Sequence, residues 1–133
     1  MLRERGDSAG RNGMASIVDS TMERWFTKAF RERGGDVLAR QRILSNDVQS
    51  WKQTWHAIAE LDTAPRLHEI TVPTLCLAAE KDVSVPPEMV EEVAKAIPGA
   101  HFAVIPKTPH MLFVEDPRSV AAEITGFPGS SFR

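Results

Sequence analysis

Residues 72–105 read VPTLCLAAEKDVSVPPEMVEEVAKAIPGAHFAVI and contain the strongest signals of secondary structure in the chain. This stretch begins with a short apolar run, VPTLCLAA (72–79), whose flanking breakers predict a strand buried on both faces. PPEMVEEVAKAI (86–97) predicts a helix, because the first turn of a helix tolerates proline. HFAVI (101–105) predicts a second strand. Strand, helix and strand in this order predict two parallel strands joined by a right-handed crossover.

The part of the chain before this stretch predicts helices only. Between Gly13 and Leu61, apolar residues recur at spacings of three and four, and no run is typical of a strand. SND (45–47) offers capping side chains for the last of these helices. The three apolar stripes are Met14, Val18, Met22, Trp25, Phe26 and Phe30; then Val37, Leu38, Gln41 and Leu44; then Val48, Trp51, Trp55 and Ile58.

These patterns divide the chain into three parts. Residues 1–64 are expected to be a helical segment. Residues 65–127 are expected to form a βαβα unit, because Asp116 and Pro117 can cap and begin a last helix after the second strand. Residues 128–133 are expected to be a frayed tail. The sequence therefore predicts the α/β fold class.

Composition argues against several classes of function. The 133 residues are 42% hydrophobic and 26% charged, which is typical of one globular domain or a piece of a larger one. The net charge of −2 argues against a nucleic-acid partner. No apolar run approaches the ~20 residues of a membrane span, and the amino terminus lacks the apolar core of a signal peptide. The single cysteine, Cys76, suits a reducing compartment, so we expect a cytoplasmic protein without a membrane partner.

An acid and a histidine follow the two predicted strands. Asp82 lies in the loop after the first strand and His110 in the loop after the second. Because parallel strands end at the same edge of a sheet, the two side chains are expected side by side. A carboxylate placed there can hold the ring N–H of the histidine and stabilise its imidazolium. Taken alone, each residue has a structural interpretation. Asp82 can form a turn, and His110 can donate a hydrogen bond that stabilises the fold. Together they favour a catalytic pair.

Large side chains near this pair or in the helical part are the second group of candidates. Trp25, Trp51 and Trp55 either pack as the core of the helical part or line a substrate pocket. Met111, next to His110, is either pocket wall or core. The remaining histidines show no metal-ligand spacing with the cysteine or with paired acids, so we expect no metal and no cofactor.

Two stretches carry a resemblance to a known family: ITVPTLCLAAEKDVSVPP (70–87) and IPGAHFAVIPKTPHMLFVEDPRSVAAEITGF (97–127). They resemble the carboxyl-terminal part of an α/β-hydrolase, a family that orders its triad as Ser, acid, His along the chain. The family pattern Gly-x-x-Asp-x-x-x-Pro corresponds to AEKDVSVP, with Ala79 at the glycine position, and Pro109 stands where a small residue usually precedes the histidine. The resemblance implies a partial α/β-hydrolase fold in which Asp82 and His110 are the triad acid and base.

The helical part resembles one branch of that family. GMASIVDSTMERWFTKAF (13–30) is similar to the lid of the 3-oxoadipate enol-lactonases, which hydrolyse a lactone in aromatic catabolism, and haloperoxidase-like esterases are a close second. The resemblance implies a lid over residues 1–64 and an ester or lactone as the small-molecule substrate. Some lid aromatics of the family line the acyl pocket, which makes Trp25, Trp51 and Trp55 candidate substrate contacts together with Met111.

The nucleophile of the family has no counterpart in this sequence. Such a hydrolase needs a Gly-x-Ser-x-Gly elbow, and none of the nine serines lies in that pattern. The resemblance implies that the nucleophile precedes residue 1. The missing part was cut away, was lost from a truncated reading frame or is carried by a separate chain, and the sequence leaves these alternatives open. We expect the chain alone not to turn over substrate. Two strands make a marginal sheet with open edges, so self-association or a companion chain is expected. The alternative is a degenerate hydrolase half that acts as a non-catalytic interaction or regulatory module.

Overall fold

The computed structural model describes residues 2–128, which form two compact units. The first unit consists of residues 2–23 and 28–62, and the second of residues 24–27 and 63–128. A short segment from the middle of the helical part of the sequence therefore belongs to the second unit. The predicted frayed tail lies outside the described residues, except for Pro128, which is part of a turn.

The first unit is helical, as predicted. Its helices are α1 (Leu2–Asn12), α2 (Ala15–Trp25, whose last two residues belong to the second unit), α3 (Lys28–Glu32), α4 (Val37–Leu44) and α5 (Val48–Glu60). No apolar stripe predicted α1 individually, although its residues lie in the segment expected to be helical, and this helix packs against α5. Gly6 permits the close approach, because a Cβ added there would lie 2.9 Å from the backbone oxygen of Lys52.

The predicted burial of the first apolar stripe and the predicted cap of α5 are confirmed, whereas Ile58 of the third stripe, expected to face inward, is 42% exposed. The first apolar stripe is buried at Met14, Val18, Met22, Phe26 and Phe30. The predicted cap of α5 is Asp47, whose side chain accepts a hydrogen bond from the backbone N–H of Ser50 at 2.8 Å. The stripe does not form one helix, since α2 ends at Trp25 and α3 begins at Lys28.

The predicted buried face of α4 is wrong. Leu38 is 80% exposed, whereas Ile43, outside the predicted stripe, is only 3% exposed. The two residues are five positions apart, which is about 140° around a helix of 3.6 residues per turn. The apolar side chains of this short helix thus lie on more than one side, and local spacing does not select between them.

The second unit is the predicted α/β arrangement. It contains a 3₁₀ turn (Ala64–Glu69), β1 (Leu75–Ala79), α6 (Pro87–Ala96), β2 (His101–Ile105), a short α7 (Leu112–Glu115) and α8 (Pro117–Gly126). The two strands pair in parallel, with Leu75 opposite His101 and Ala79 opposite Ile105. Strand β1 starts three residues later than predicted, because the pairing begins at Leu75, opposite the first residue of β2.

The core of the second unit lies near the carboxyl ends of the strands. Buried Ala79, Ile105, Leu112 and Val120 form one cluster, against which Leu77 packs. Other residues expected to face inward are more than a third exposed: Met89, Val93 and Ile124. The described sheet has two strands, which cannot cover every apolar face of the flanking helices. None of the helices between residues 2 and 128 combines the length and apolar character that a bilayer crossing requires.

Candidate active site

The loops that follow β1 and β2 are joined by hydrogen bonds. The backbone N–H of Glu80 donates to the carbonyl of Ile105 at 3.1 Å, and that of Lys81 donates to the carbonyl of Thr108 at 2.8 Å. Lys107 has a φ of 61°, in the left-handed region that residues other than glycine rarely adopt. Its N–H donates to the Glu80 carboxylate at 2.5 Å. These contacts hold the two loops together at one edge of the sheet.

Asp82 and His110 meet at this edge. Oδ2 of Asp82 lies 2.7 Å from Nδ1 of His110. The acid is buried, at 8% exposure, whereas the histidine side chain is 33% exposed. When Asp82 is ionised its carboxylate can only accept a hydrogen bond, so this contact requires the ring proton on Nδ1, and Nε2 is then the basic nitrogen of the neutral ring. The expected contact is present, and the catalytic role of the two residues stays a prediction.

Asp82 also makes the turn that its sequence suggested. Its second carboxylate oxygen, Oδ1, accepts hydrogen bonds from the backbone N–H groups of Ser84 at 2.7 Å and Val85 at 3.0 Å. The two interpretations of this residue are therefore compatible, since one oxygen shapes the loop while the other faces His110. The turn orients the carboxylate, and so fixes the direction from which the imidazole is held.

Trp25 and Met111 lie in the same compact unit as this pair. The ring of Trp25 stacks against that of His110, with 6.1 Å between ring centroids and 26° between planes. The backbone N–H of Met111 donates to the carbonyl of Trp25 at 3.0 Å, and the Met111 side chain is half-buried. The sequence left both residues open between core packing and a substrate pocket, and nothing in it predicted that Trp25 contacts His110.

Trp51 and Trp55 lie in the other, helical unit. Their rings meet edge to face, with centroids 5.9 Å apart and planes at 64°, and the Arg5 guanidinium lies 5.0 Å from the centre of the Trp55 ring. Both side chains are half-buried. They pack within the helical unit, and their contact with a substrate stays a prediction.

Glu115 is a residue of the site region that the sequence did not single out. Its carboxylate accepts a hydrogen bond from the backbone N–H of Thr27 at 3.0 Å and a second one from the Thr27 hydroxyl. Glu115 lies in α7, which follows His110 directly along the chain. The partners are 88 positions apart, so no local pattern could have indicated the contact.

Ionisable groups outside the pair have other roles. Burial raises the pKa of the Cys76 thiol, which disfavours its reactive thiolate form. The Ser119 hydroxyl and then the Ser119 backbone N–H lower the pKa of Asp116, the cap of α8. In the part of the chain that the structure describes, no three His, Cys, Asp or Glu side chains converge to hold a metal ion. That no metal or cofactor is needed stays a prediction.

The fold and the carboxylate–imidazole pair together are typical of α/β proteins that use a triad at the carboxyl edge of a parallel sheet. A model of the alpha/beta hydrolase family matches residues 3–123, and the chain belongs to that family. The predicted partial α/β-hydrolase fold is thereby confirmed.

Relatives within the family include enol-lactonases and esterases. The 3-oxoadipate enol-lactonase 1 of Acinetobacter baylyi is 26% identical over 125 residues, which are 92% of this chain and 47% of that protein. The crystal structure of the enol-lactonase of Burkholderia xenovorans LB400 superposes with a TM-score of 0.87 at 28% identity, over 93% of this chain and 48% of that one. A thermophilic esterase of Thermogutta terrifontis superposes with a TM-score of 0.79 at 28% identity, over 93% and 47%. The chain spans about half the length of these relatives.

Proposed function

We propose that this chain supplies the acid and the general base of a serine-type α/β-hydrolase that cleaves an ester or a lactone. The observation that carries the proposal is the 2.7 Å contact between Asp82 Oδ2 and His110 Nδ1 at the carboxyl edge of the parallel strands. Relatives named as enol-lactonases favour a lactone of the 3-oxoadipate enol-lactone type as the substrate.

In this proposal His110 takes the proton of a serine hydroxyl through Nε2 and later returns it to the leaving oxygen. Asp82 holds Nδ1–H, which keeps the ring in the productive tautomer and stabilises the imidazolium. The Ser84 and Val85 N–H groups fix the Asp82 carboxylate from the other side, so the acid needs no reorganisation when the charge develops.

The serine itself would come from outside this sequence, which contains no Gly-x-Ser-x-Gly. Residues 1–133 alone are then expected to be inactive. Residues 1–64 would serve as the lid, with Trp51, Trp55 and Met111 contributing to substrate contacts. The unpaired Cys76 suits a protein of the cytoplasm.

A companion chain or a second copy would complete the sheet. Among the described residues, β1 and β2 pair only with each other, so each has one edge without a strand. Backbone groups at such an edge favour pairing with a further strand. We expect light scattering on the purified chain to show more than one chain per particle. A monomer that unfolds cooperatively would contradict this part of the proposal.

The function is tested in a chimera. This chain replaces the aligned segment of the Acinetobacter baylyi enol-lactonase 1, whose remaining residues supply the rest of the fold. The chimera is expected to hydrolyse p-nitrophenyl acetate and 3-oxoadipate enol-lactone, and a serine-directed phosphonate should abolish both activities. The isolated chain, assayed in parallel, should show neither.

His110→Ala should lower kcat of the chimera by at least about 10⁴-fold, because the serine loses its base. His68→Ala is the matched control, since His68 is an exposed histidine of the same unit. A folded chimera that is inactive, or whose activity survives His110→Ala, would contradict the catalytic proposal. A folded but inactive chimera would instead support the alternative that the chain is a non-catalytic interaction or regulatory module. Circular dichroism establishes that each variant is folded.

A further inference from the structure

Residues 24–27 lie along the chain between two parts of the first unit, yet they belong to the unit that carries the strands. Three hydrogen bonds attach this segment to the chain just after His110. Met111 N–H donates to the carbonyl of Trp25, and the Glu115 carboxylate accepts from both the N–H and the hydroxyl of Thr27. Phe26, between them, is 1% exposed. The backbone from the Trp25 carbonyl to Thr27 is therefore held in place.

The stack on Trp25 restrains His110 in a way that Asp82 does not. The hydrogen bond to Asp82 fixes one atom on the edge of the imidazole. It leaves the plane of the ring free to swing about that atom. The indole lies over one face at 6.1 Å between centroids and 26° between planes, which is within the range of offset stacking. Edge and face contacts together define both the position of Nδ1 and the direction in which Nε2 points.

We propose that Trp25 is a positioning residue for His110, holding the imidazole plane so that Nε2 is aimed at the reacting hydroxyl. This inference rests on the proposed function, in which His110 is the general base. The indole face also carries partial negative charge, so it favours the imidazolium that forms when His110 takes a proton. The role differs from a substrate contact, because it acts through the ring of His110.

The contact is tested first in the isolated chain, without any activity. The sequence has three tryptophans, so Trp51→Phe/Trp55→Phe leaves Trp25 as the only indole emitter. An imidazole stacked on an indole perturbs its emission, so removal of that ring should change the Trp25 fluorescence. The emission should change in His110→Gln and should stay unchanged in His68→Gln. If His110→Gln leaves the Trp25 emission unchanged, the proposal is overturned.

If the double substitution unfolds the chain, the same contact is read in the parent sequence. The ring protons of His110, assigned by their loss in His110→Gln, should lie upfield in the proton NMR spectrum because they face the indole. Trp25→Ala should move them downfield, whereas Trp25→Phe, which keeps an aromatic face, should restore part of the shift. Resonances that are the same in parent and Trp25→Ala would overturn the proposal.

The consequence for catalysis is tested in the chimera. Trp25→Ala should lower kcat by about 10- to 100-fold while KM stays within about 2-fold of the parent. The reason is that a misoriented His110 slows the chemical step but does not weaken substrate binding. Trp25→Phe should recover most of the loss. A rise in KM at unchanged kcat would overturn the positioning role in favour of a substrate contact. If the chimera is inactive, the proposed function fails, while the fluorescence and NMR results still decide whether Trp25 restrains His110.

Discussion

Glu115 and Thr27, 88 positions apart in the chain, are joined by two hydrogen bonds from the N–H and the hydroxyl of Thr27 to the Glu115 carboxylate. Both residues belong to the second compact unit. The pair fastens the segment that bears Trp25 to the helix that follows His110. It therefore connects the long-range packing of the chain to the geometry of the candidate site.

Removing this carboxylate should loosen the segment. Glu115→Ala is expected to lower the free energy of unfolding by about 1 kcal/mol, because the partly buried Thr27 N–H loses its acceptor. Urea unfolding followed by circular dichroism measures the change. Glu123→Ala on exposed α8 is the control and should leave stability within about 0.5 kcal/mol of the parent. Equal effects of the two substitutions would contradict a structural role for Glu115.

Asp82→Asn should separate the chemistry of the site from its folding. The amide oxygen can still accept from Ser84 and Val85, so the loop and the stability should change little. Its NH₂ group would face Nδ1 and favour the wrong tautomer of His110, and kcat of the chimera should fall by about 10⁴-fold.

Asp116→Asn is the matched control for that measurement, as Asp116 is also a loop aspartate that accepts from a backbone N–H. It should leave kcat within about 2-fold of the parent. A rate for Asp82→Asn within a few-fold of the parent would assign the triad acid elsewhere and leave Asp82 as a turn former only.

The cap of α8 predicts a pH dependence of stability. Hydrogen bonds from Ser119 lower the pKa of Asp116 below its ordinary value of 3.8. A carboxyl group whose pKa is lower in the folded than in the unfolded state stabilises the folded protein. The contribution is complete at pH values above the unfolded-state pKa, and it is lost as the pH falls through the folded-state pKa. The parent should therefore lose stability as the pH falls below the ordinary value of 3.8, partly through this group.

Asp116→Asn removes that titration while keeping an acceptable cap. The variant should lose less stability than the parent when thermal unfolding at pH 2 is compared with pH 5. Asp62→Asn, at an exposed position, is the control and should behave like the parent. The prediction fails if Asp116→Asn and the parent show the same loss.

Two glycines of α1 provide a test of its packing on α5. Gly6→Ala places a Cβ 2.9 Å from the backbone oxygen of Lys52 and 3.0 Å from Trp55 Cβ, neither of which can move cheaply. Overpacking of this kind costs about 1–3 kcal/mol, more than the ~1 kcal/mol that alanine gains in helix propensity. Urea unfolding should therefore show a less stable protein.

Gly10→Ala is the matched substitution in the same helix. Its Cβ would meet only the flexible end of the Lys52 side chain, at 3.3 Å, so the gain in helix propensity should prevail and stability should rise by up to ~1 kcal/mol. If both glycine variants were stabilised alike, the tight contact of α1 on α5 would be absent in solution.

Much of the second unit was predictable because its signals are local. Apolar runs bounded by prolines located β1 and β2, and the position of Asp82 and His110 just after these strands was enough to predict that they meet. The cap of α5 by Asp47 is equally local, since donor and acceptor are three residues apart. In each case the physical cause is contained in a few consecutive residues or in the geometry of a parallel strand pair.

The contacts that the sequence did not predict join residues that are distant along the chain. The stack of Trp25 on His110, the anchoring of Thr27 by Glu115 and the packing of α1 on α5 join residues that no periodicity relates. The buried side of α4 was misjudged for the same reason, because its local pattern does not record which neighbour covers it. Local signals were thus enough to predict the βαβα unit and the contact of Asp82 with His110. Long-range packing decided what surrounds that pair, since close contacts depend on shape and on the fold of the rest of the chain.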